Sequence, residues 1–156
     1  MSDGFSEAMR GTYFIDEKYT FIENRTTSKN ITKLNKNEIF VFGSNTKGRH
    51  GKGAAKTSLK WGSIYGQGDG PQGNTYAIPT KDDNLNVLSI DKIRPYVESF
   101  IIYAIKHPEQ TFLVTPIGTG LSGYSSIDIA PLFESSKYIK NIHLPKEFWD
   151  IIISKK

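Results

Sequence analysis

Cysteine is missing altogether. That excludes a disulfide framework, a cysteine-ligated zinc or iron–sulfur site and a cysteine nucleophile. It fits a reducing compartment. Histidine is scarce: His50, His107 and His143 stand far apart, and no HExxH pattern occurs. Neither a metal nor another cofactor is expected from such a set. No apolar run approaches the ~20 residues of a membrane helix. The opening MSDGFSEAMRG has no basic start followed by an apolar stretch, so no secretory leader is expected. These shortages predict a cytoplasmic protein without a membrane partner. The last shortage is local: no Asp or Glu occurs from Ile39 to Gly68.

What is present fits one domain over residues 1–156, since 156 residues is an ordinary domain length and 37% hydrophobic residues suffice for a core. The net charge is +4. Lys47, Arg49, Lys52, Lys56 and Lys60 carry +5 between them, so the remainder of the chain nets −1. A concentrated basic segment favours an anionic partner. The plainer reading is a solvated face, because Lys52, Lys56 and Lys60 recur four residues apart on one side of a helix. Glycine is concentrated too: nine of 14 glycines fall between Gly43 and Gly73, and three more are Gly118, Gly120 and Gly123. Both clusters follow apolar runs.

Along the chain, 11–24 reads as a hairpin and 25–37 as a polar connector. EIFVFGS (38–44) has the continuous apolar character of a buried strand. GAAKTSLKW reads as a short helix closed by Gly62, after which SIYGQGDGPQGN is loop. TYAIP (75–79) is a strand ended by Pro79. Ile93, Val97, Ile101, Ala104 and Ile105 share one face of a helix over 91–107, capped by Asp91 with Pro95 in its first turn. TFLVTPI (111–117) is a further buried strand. Asp128 is expected to cap a short helix. YIKNIHLP is a last strand, and KEFWDIIIS a closing helix or tail. Alternating strands and helices predict an α/β sandwich with a parallel or mixed sheet.

The segment Gly118-Thr119-Gly120-Leu121-Ser122-Gly123 is a literal GxGxxG after a strand. A dinucleotide fold also needs a following βαβ unit and an acidic residue some way on, and too little chain remains. What survives is a glycine loop whose N–H groups can cradle phosphate. The Walker pattern is absent, for Gly51-Lys52 is followed by Gly53 and position 46 is Thr. In the first cluster Gly43-Ser44-Asn45 ends a strand, a basic glycine loop with His50 follows, and the next helix opens on Gly53, Ala54 and Ala55. Small residues there admit a ligand close to the backbone. Asn45 stands at a strand's carboxyl end, where open α/β sheets bind ligands; its plainer role is an Asx-turn. As a loop residue His50 needs no function. His107 suits a helix end, and His143 the outward side of a strand.

In their order these motifs resemble the macro domains that bind ADP-ribose. The likeness is closest to short macro-like proteins of phages and bacteria. It rests on Asn45, Gly48, Gly51, Gly53 and Ala54 in the first loop, on TYAIPT (75–80), and on Thr119-Gly120-Leu121-Ser122-Gly123-Tyr124 in the second. It covers residues 38–145. The resemblance implies a three-layer α/β/α macro-like fold with a mixed central sheet; the N-terminal β-hairpin read at 11–24 lies outside the likeness. It implies ADP-ribose or a related nucleotide lying across both loops, free or on an ADP-ribosylated macromolecule. Asn45 would face the distal ribose, Gly118 to Tyr124 would hold the phosphates, and Tyr124 would pack on the ribose. Gly43, Ser44, Gly51, Gly53 and Ala54 would complete the wall. A metal-independent hydrolysis of ADP-ribose from a target would use Asn45. Hydrolytic members of one branch place an Asp ten residues after that Asn; here Ala55 stands there. His50, Lys52, Asp69 and Asp82 are the residues left for that role, and the sequence does not choose. The competing reading is a nucleic-acid or protein interaction module using the basic 43–60 segment.

Overall fold

The computed structural model describes residues 24–154. The hairpin expected over 11–24 lies, but for Asn24, outside the described residues. The architecture is α/β. A mixed five-stranded sheet has the order β2-β3-β1-β4-β5. Its strands are β1 (Glu38–Asn45), β2 (Gly70–Gln72), β3 (Thr75–Lys81), β4 (Thr111–Val114) and β5 (Ile142–His143). β1 runs parallel to both β3 and β4, β4 parallel to β5, and β2 antiparallel to β3. The helices are α1 (Gly53–Ser58), α2 (Ile90–Lys106), α3 (Ser126–Ile129) and α4 (Lys146–Ser154). Two 3-10 segments, Leu59–Trp61 and Ala130–Tyr138, extend α1 and α3.

Three layers follow from strand alternation. Successive residues of β1 point to opposite faces. Phe40 and Phe42 join Ala55, Ala77, Ile31, Leu34 and Trp61 beneath α1. Ile39 and Val41 join the larger core under α2, the second 3-10 segment and α4, with Phe100, Phe112, Phe133 and Trp149. Each large apolar side chain buried there contributes about 1.5–3 kcal/mol. A strand apolar on both sides is what EIFVF encodes.

Several local expectations are corrected. β3 does not end at Pro79 but runs to Lys81. The Phe40 N–H donates to Asn74 O at 2.9 Å, so ahead of the register shift at Ser44/Asn45 the even-numbered Tyr76 and Ile78 turn their backbone groups to β1 and Pro79 turns away from it. On that far side β2 has already ended opposite Ala77, so no partner misses the proline N–H. β2 itself was hidden in a stretch read as loop. α2 starts at Ile90 and is capped by Ser89, whose side chain accepts from Lys92 N–H; Asp91 is a first-turn residue and Pro95 lies in the second turn. Ser125 caps α3, with Asp128 as the reciprocal third residue of a capping box. β4 stops at Val114, leaving 115–117 to lead into the second glycine loop. The last strand is only Ile142–His143, and KEFWDIIIS is helix throughout. Part of the supposed connector pairs: Thr26 bridges Leu144 in parallel. No described helix is long and apolar enough to cross a membrane.

Candidate functional site

β1, β3 and β4 are parallel, so their carboxyl ends lie at one end of the sheet. From there β1 feeds α1 on one face. β4 feeds α3, whose Ile129 belongs to the core of the other face. Neighbouring strands whose connections leave to opposite faces open a crevice between them. A cleft of about 510 Å³ occupies that place. β1 contributes Gly43, Ser44 and Asn45; the loop to α1 contributes Arg49, Gly51 and Lys52; and α1 contributes Gly53, Ala54 and Ala55. Thr80, Lys81 and Leu85 come from the end of β3 and the turn after it. Thr115 to Gly118, with Gly120, Leu121 and Ser122, come from the segment after β4. The two glycine clusters therefore meet on one cavity.

The first loop is braced from inside. Asn45 Nδ2 donates to Arg49 O at 3.0 Å, and Arg49 N–H donates to Asn45 Oδ1 at 2.9 Å. Asn45 is buried, at 6% exposure, whereas Arg49 is exposed, so the clamp is partly shielded from solvent. The loop is also pressed against 66–68. A Cβ on Gly48, whose φ is +74°, would meet Gln67 N at 2.3 Å, and one on Gly68 would meet Asn45 O at 2.0 Å. Real Cβ atoms do not approach backbone so closely, so these positions admit only glycine. Gly66 N–H donates to Gly48 O at 2.8 Å, and Ser44 Oγ donates to Gly68 O.

His50 departs from the expectation of an ordinary loop histidine. It is buried, at 1% exposure, edge-on to Phe42, with Nε2 3.0 Å from Gln67 O. A carbonyl only accepts, so Nε2 carries the proton. Nδ1 has no partner among the described residues. His50 does not line the cleft; it joins the loop to 66–68.

The second loop is a tight turn. Gly123 N–H donates to Gly120 O at 3.0 Å and Tyr124 N–H to Gly118 O at 2.9 Å. The N–H groups of Gly120, Leu121 and Ser122 donate to no described residue. Ser122 Oγ lies 2.9 Å from Thr80 Oγ1, which ties the loop to β3. Thr115 Oγ1 donates to Val41 O at 2.8 Å and fixes the loop's root on β1.

Of the residues predicted from sequence, Gly43, Ser44, Asn45, Gly51, Lys52, Gly53, Ala54, Gly118, Gly120, Leu121 and Ser122 line the cleft. Thr119, Gly123 and Tyr124 do not. Tyr124, expected to pack on a ribose, donates its hydroxyl to Leu88 O at 2.7 Å. Asp69 is also outside: it precedes β2 and is exposed. Partial burial raises the pKa of its carboxyl, and its charge adds to the burial that pushes up the Tyr76 hydroxyl. Asp82 accepts from Asn84 N–H and Asn86 N–H, both at 2.9 Å, and so shapes the turn after β3. Sequence reading missed Arg49, Thr80, Lys81, Leu85 and Thr115 to Ile117. Cutting the strand at Pro79 hid Thr80 and Lys81, whose signal was the polar TK directly after an apolar strand.

Arg49, Lys52 and Lys81 line the cleft, and no carboxylate of the described residues does. Such a wall attracts anions. Among the described residues no group of His, Asp or Glu is arranged to hold a metal ion. Compared with known protein families, with curated proteins and with solved structures, the chain matches none.

Proposed function

We propose that the cleft binds ADP-ribose, or a closely related nucleoside diphosphate, with its phosphates on the second glycine loop. The observation that carries this reading is the meeting of both glycine loops on one cation-lined crevice at the carboxyl ends of parallel strands. The unpaired N–H groups of Gly120, Leu121 and Ser122 are donors of the kind that hold phosphate oxygens. Arg49 and Lys52, from the first loop, line the same cleft. Asn45 serves the site by holding that loop in shape, which differs from the direct ribose contact implied by resemblance. The reading is of binding. Of the residues considered for catalysis, Asn45 and Lys52 line the cleft, whereas His50 and Asp69 do not.

The test is calorimetric titration with ADP-ribose, using AMP as comparator, on wild type and on Gly120→Glu. A Cβ at Gly120 meets nothing within 4 Å, so the glutamate enters without steric conflict and places a carboxylate in the cleft. Saturable one-to-one binding to wild type is expected. Loss of that binding in Gly120→Glu, with unfolding behaviour unchanged, is expected too. Equal affinity in both proteins would remove the second loop from the site, and no heat with wild type would overturn the ligand assignment.

A further inference from the structure

The basic segment reaches well beyond the cleft. Lys47, Arg49, Lys52, Lys56 and Lys60 are all exposed. The ion pairs of the described residues are Arg94 with Asp91, Lys137 with Glu134 and Lys146 with Asp150. None of the five cations takes part in them. Lys52 is the N-cap of α1, Lys56 lies within it and Lys60 in its 3-10 extension; all three are exposed, whereas Ala55 and Ser58 of α1 are buried. The stripe thus begins at the cleft wall, with Arg49 and Lys52, and leads away from it. Beside the loop stands an exposed ring. Tyr65 is 63% exposed, and its ring centroid lies 6.3 Å from that of His50. Ile64, which precedes it in the chain, and Leu59 are also exposed, at 52% and 40%.

We propose that this face, from Arg49 along Lys52, Lys56 and Lys60 with Tyr65 at its side, docks a single-stranded nucleic acid. A solvated lysine face on a helix is ordinarily interleaved with acids; this one is not, which leaves a field that a polyanion neutralises. Phosphates engage the lysines. Tyr65 offers an unpaired base a stacking surface, which a duplex, with its bases already stacked, cannot use. The face shares Arg49 and Lys52 with the nucleotide reading of the cleft and extends beyond it. Lys56, Lys60 and Tyr65 do not line the cavity, so their variants separate the two.

The test is fluorescence anisotropy with a labelled oligothymidylate of roughly 15 nucleotides, on wild type, Lys56→Glu/Lys60→Glu, Tyr65→Ala and Tyr65→Phe. Wild-type affinity should fall steeply with salt. The double reversal should bind at least about tenfold more weakly and with a shallower salt slope. Tyr65→Ala should lose roughly fivefold to a hundredfold, the range of one stacked base, while Tyr65→Phe keeps its affinity. All variants should titrate with ADP-ribose as wild type does. Three results would overturn the proposal: salt-independent or undetectable oligonucleotide binding, equal binding by the reversed protein, or displacement of the oligonucleotide by polyglutamate or a duplex as effectively as by unlabelled oligothymidylate.

Discussion

Asn45 engages Arg49 through both ends of its amide, so a side chain expected to face a ligand braces the loop that walls the cleft. Asn45→Ala removes both bonds and leaves the Arg49 N–H and carbonyl without their partners. It should cost about 1–3 kcal/mol in denaturant unfolding and also weaken ADP-ribose binding. Asn45→Asp is the informative companion. It keeps an acceptor for Arg49 N–H but sets a carboxylate against Arg49 O, so it should recover only part of the stability. If Asn45→Ala weakened ligand binding with no loss of stability, direct contact rather than bracing would be its role. That Asn45 would stand at the cleft was legible in the sequence, because an Asn at a strand's carboxyl end is visible in one dimension. The sequence did not show the bond to Arg49, four residues on, or the burial of His50. Both depend on how closely 66–68 approaches Gly48.

Among the elements, β1 and α2 were the most legible: β1 is a short continuous apolar run, as a strand buried on both faces requires, and the apolar residues of α2 recur at the helical period. β2 was not legible, because Gly-Pro-Gln carries no strand pattern; its pairing to β3 is supplied by tertiary context. Pro95 illustrates the limits of capping rules. With Ser89 as cap it falls in the second turn of α2, where it removes the bond its N–H would have made to Asp91 O. Both residues are exposed, which makes the loss of that bond less costly than it would be in the core. Pro95→Ala should restore the bond and raise stability by about 1 kcal/mol or more, the helix gain exceeding the added freedom of the unfolded chain. Thermal unfolding reads this directly. A lower melting temperature would show that the proline ring packs in a way the helix needs.

For the whole molecule, the alternation of strands and helices announced the α/β class, whereas closure of the fold was hidden. Arg25 lies in the stretch read as connector, yet it is buried, and its guanidinium donates to the carbonyls of Ser136, Lys137, Ile139 and Ile142. Its own carbonyl accepts from Trp149 Nε1 at 2.8 Å. Desolvation lowers the Arg25 pKa to about 10, and the guanidinium remains charged at neutral pH. No local pattern signals a contact across more than a hundred residues. The same region predicts a pH dependence. Burial and then Arg25 hold the half-buried His143 below its ordinary value of 6.5, with Glu38 opposing weakly. As pH falls through 6.5, the unfolded chain takes up this proton before the folded one does, so stability declines toward acid and is unaffected above. His143→Gln should flatten the denaturation profile just below pH 6.5; an unchanged slope would place the sensitivity elsewhere.

The account as a whole turns on both glycine loops serving one anionic ligand. Amide chemical-shift mapping during titration with ADP-ribose reads this residue by residue. Gly120, Leu121 and Ser122 should shift together with Arg49 to Ala54, saturating at one equivalent, while α4 stays still. Shifts confined to one loop, or found only along Lys56, Lys60 and Tyr65, would contradict a shared site in the cleft.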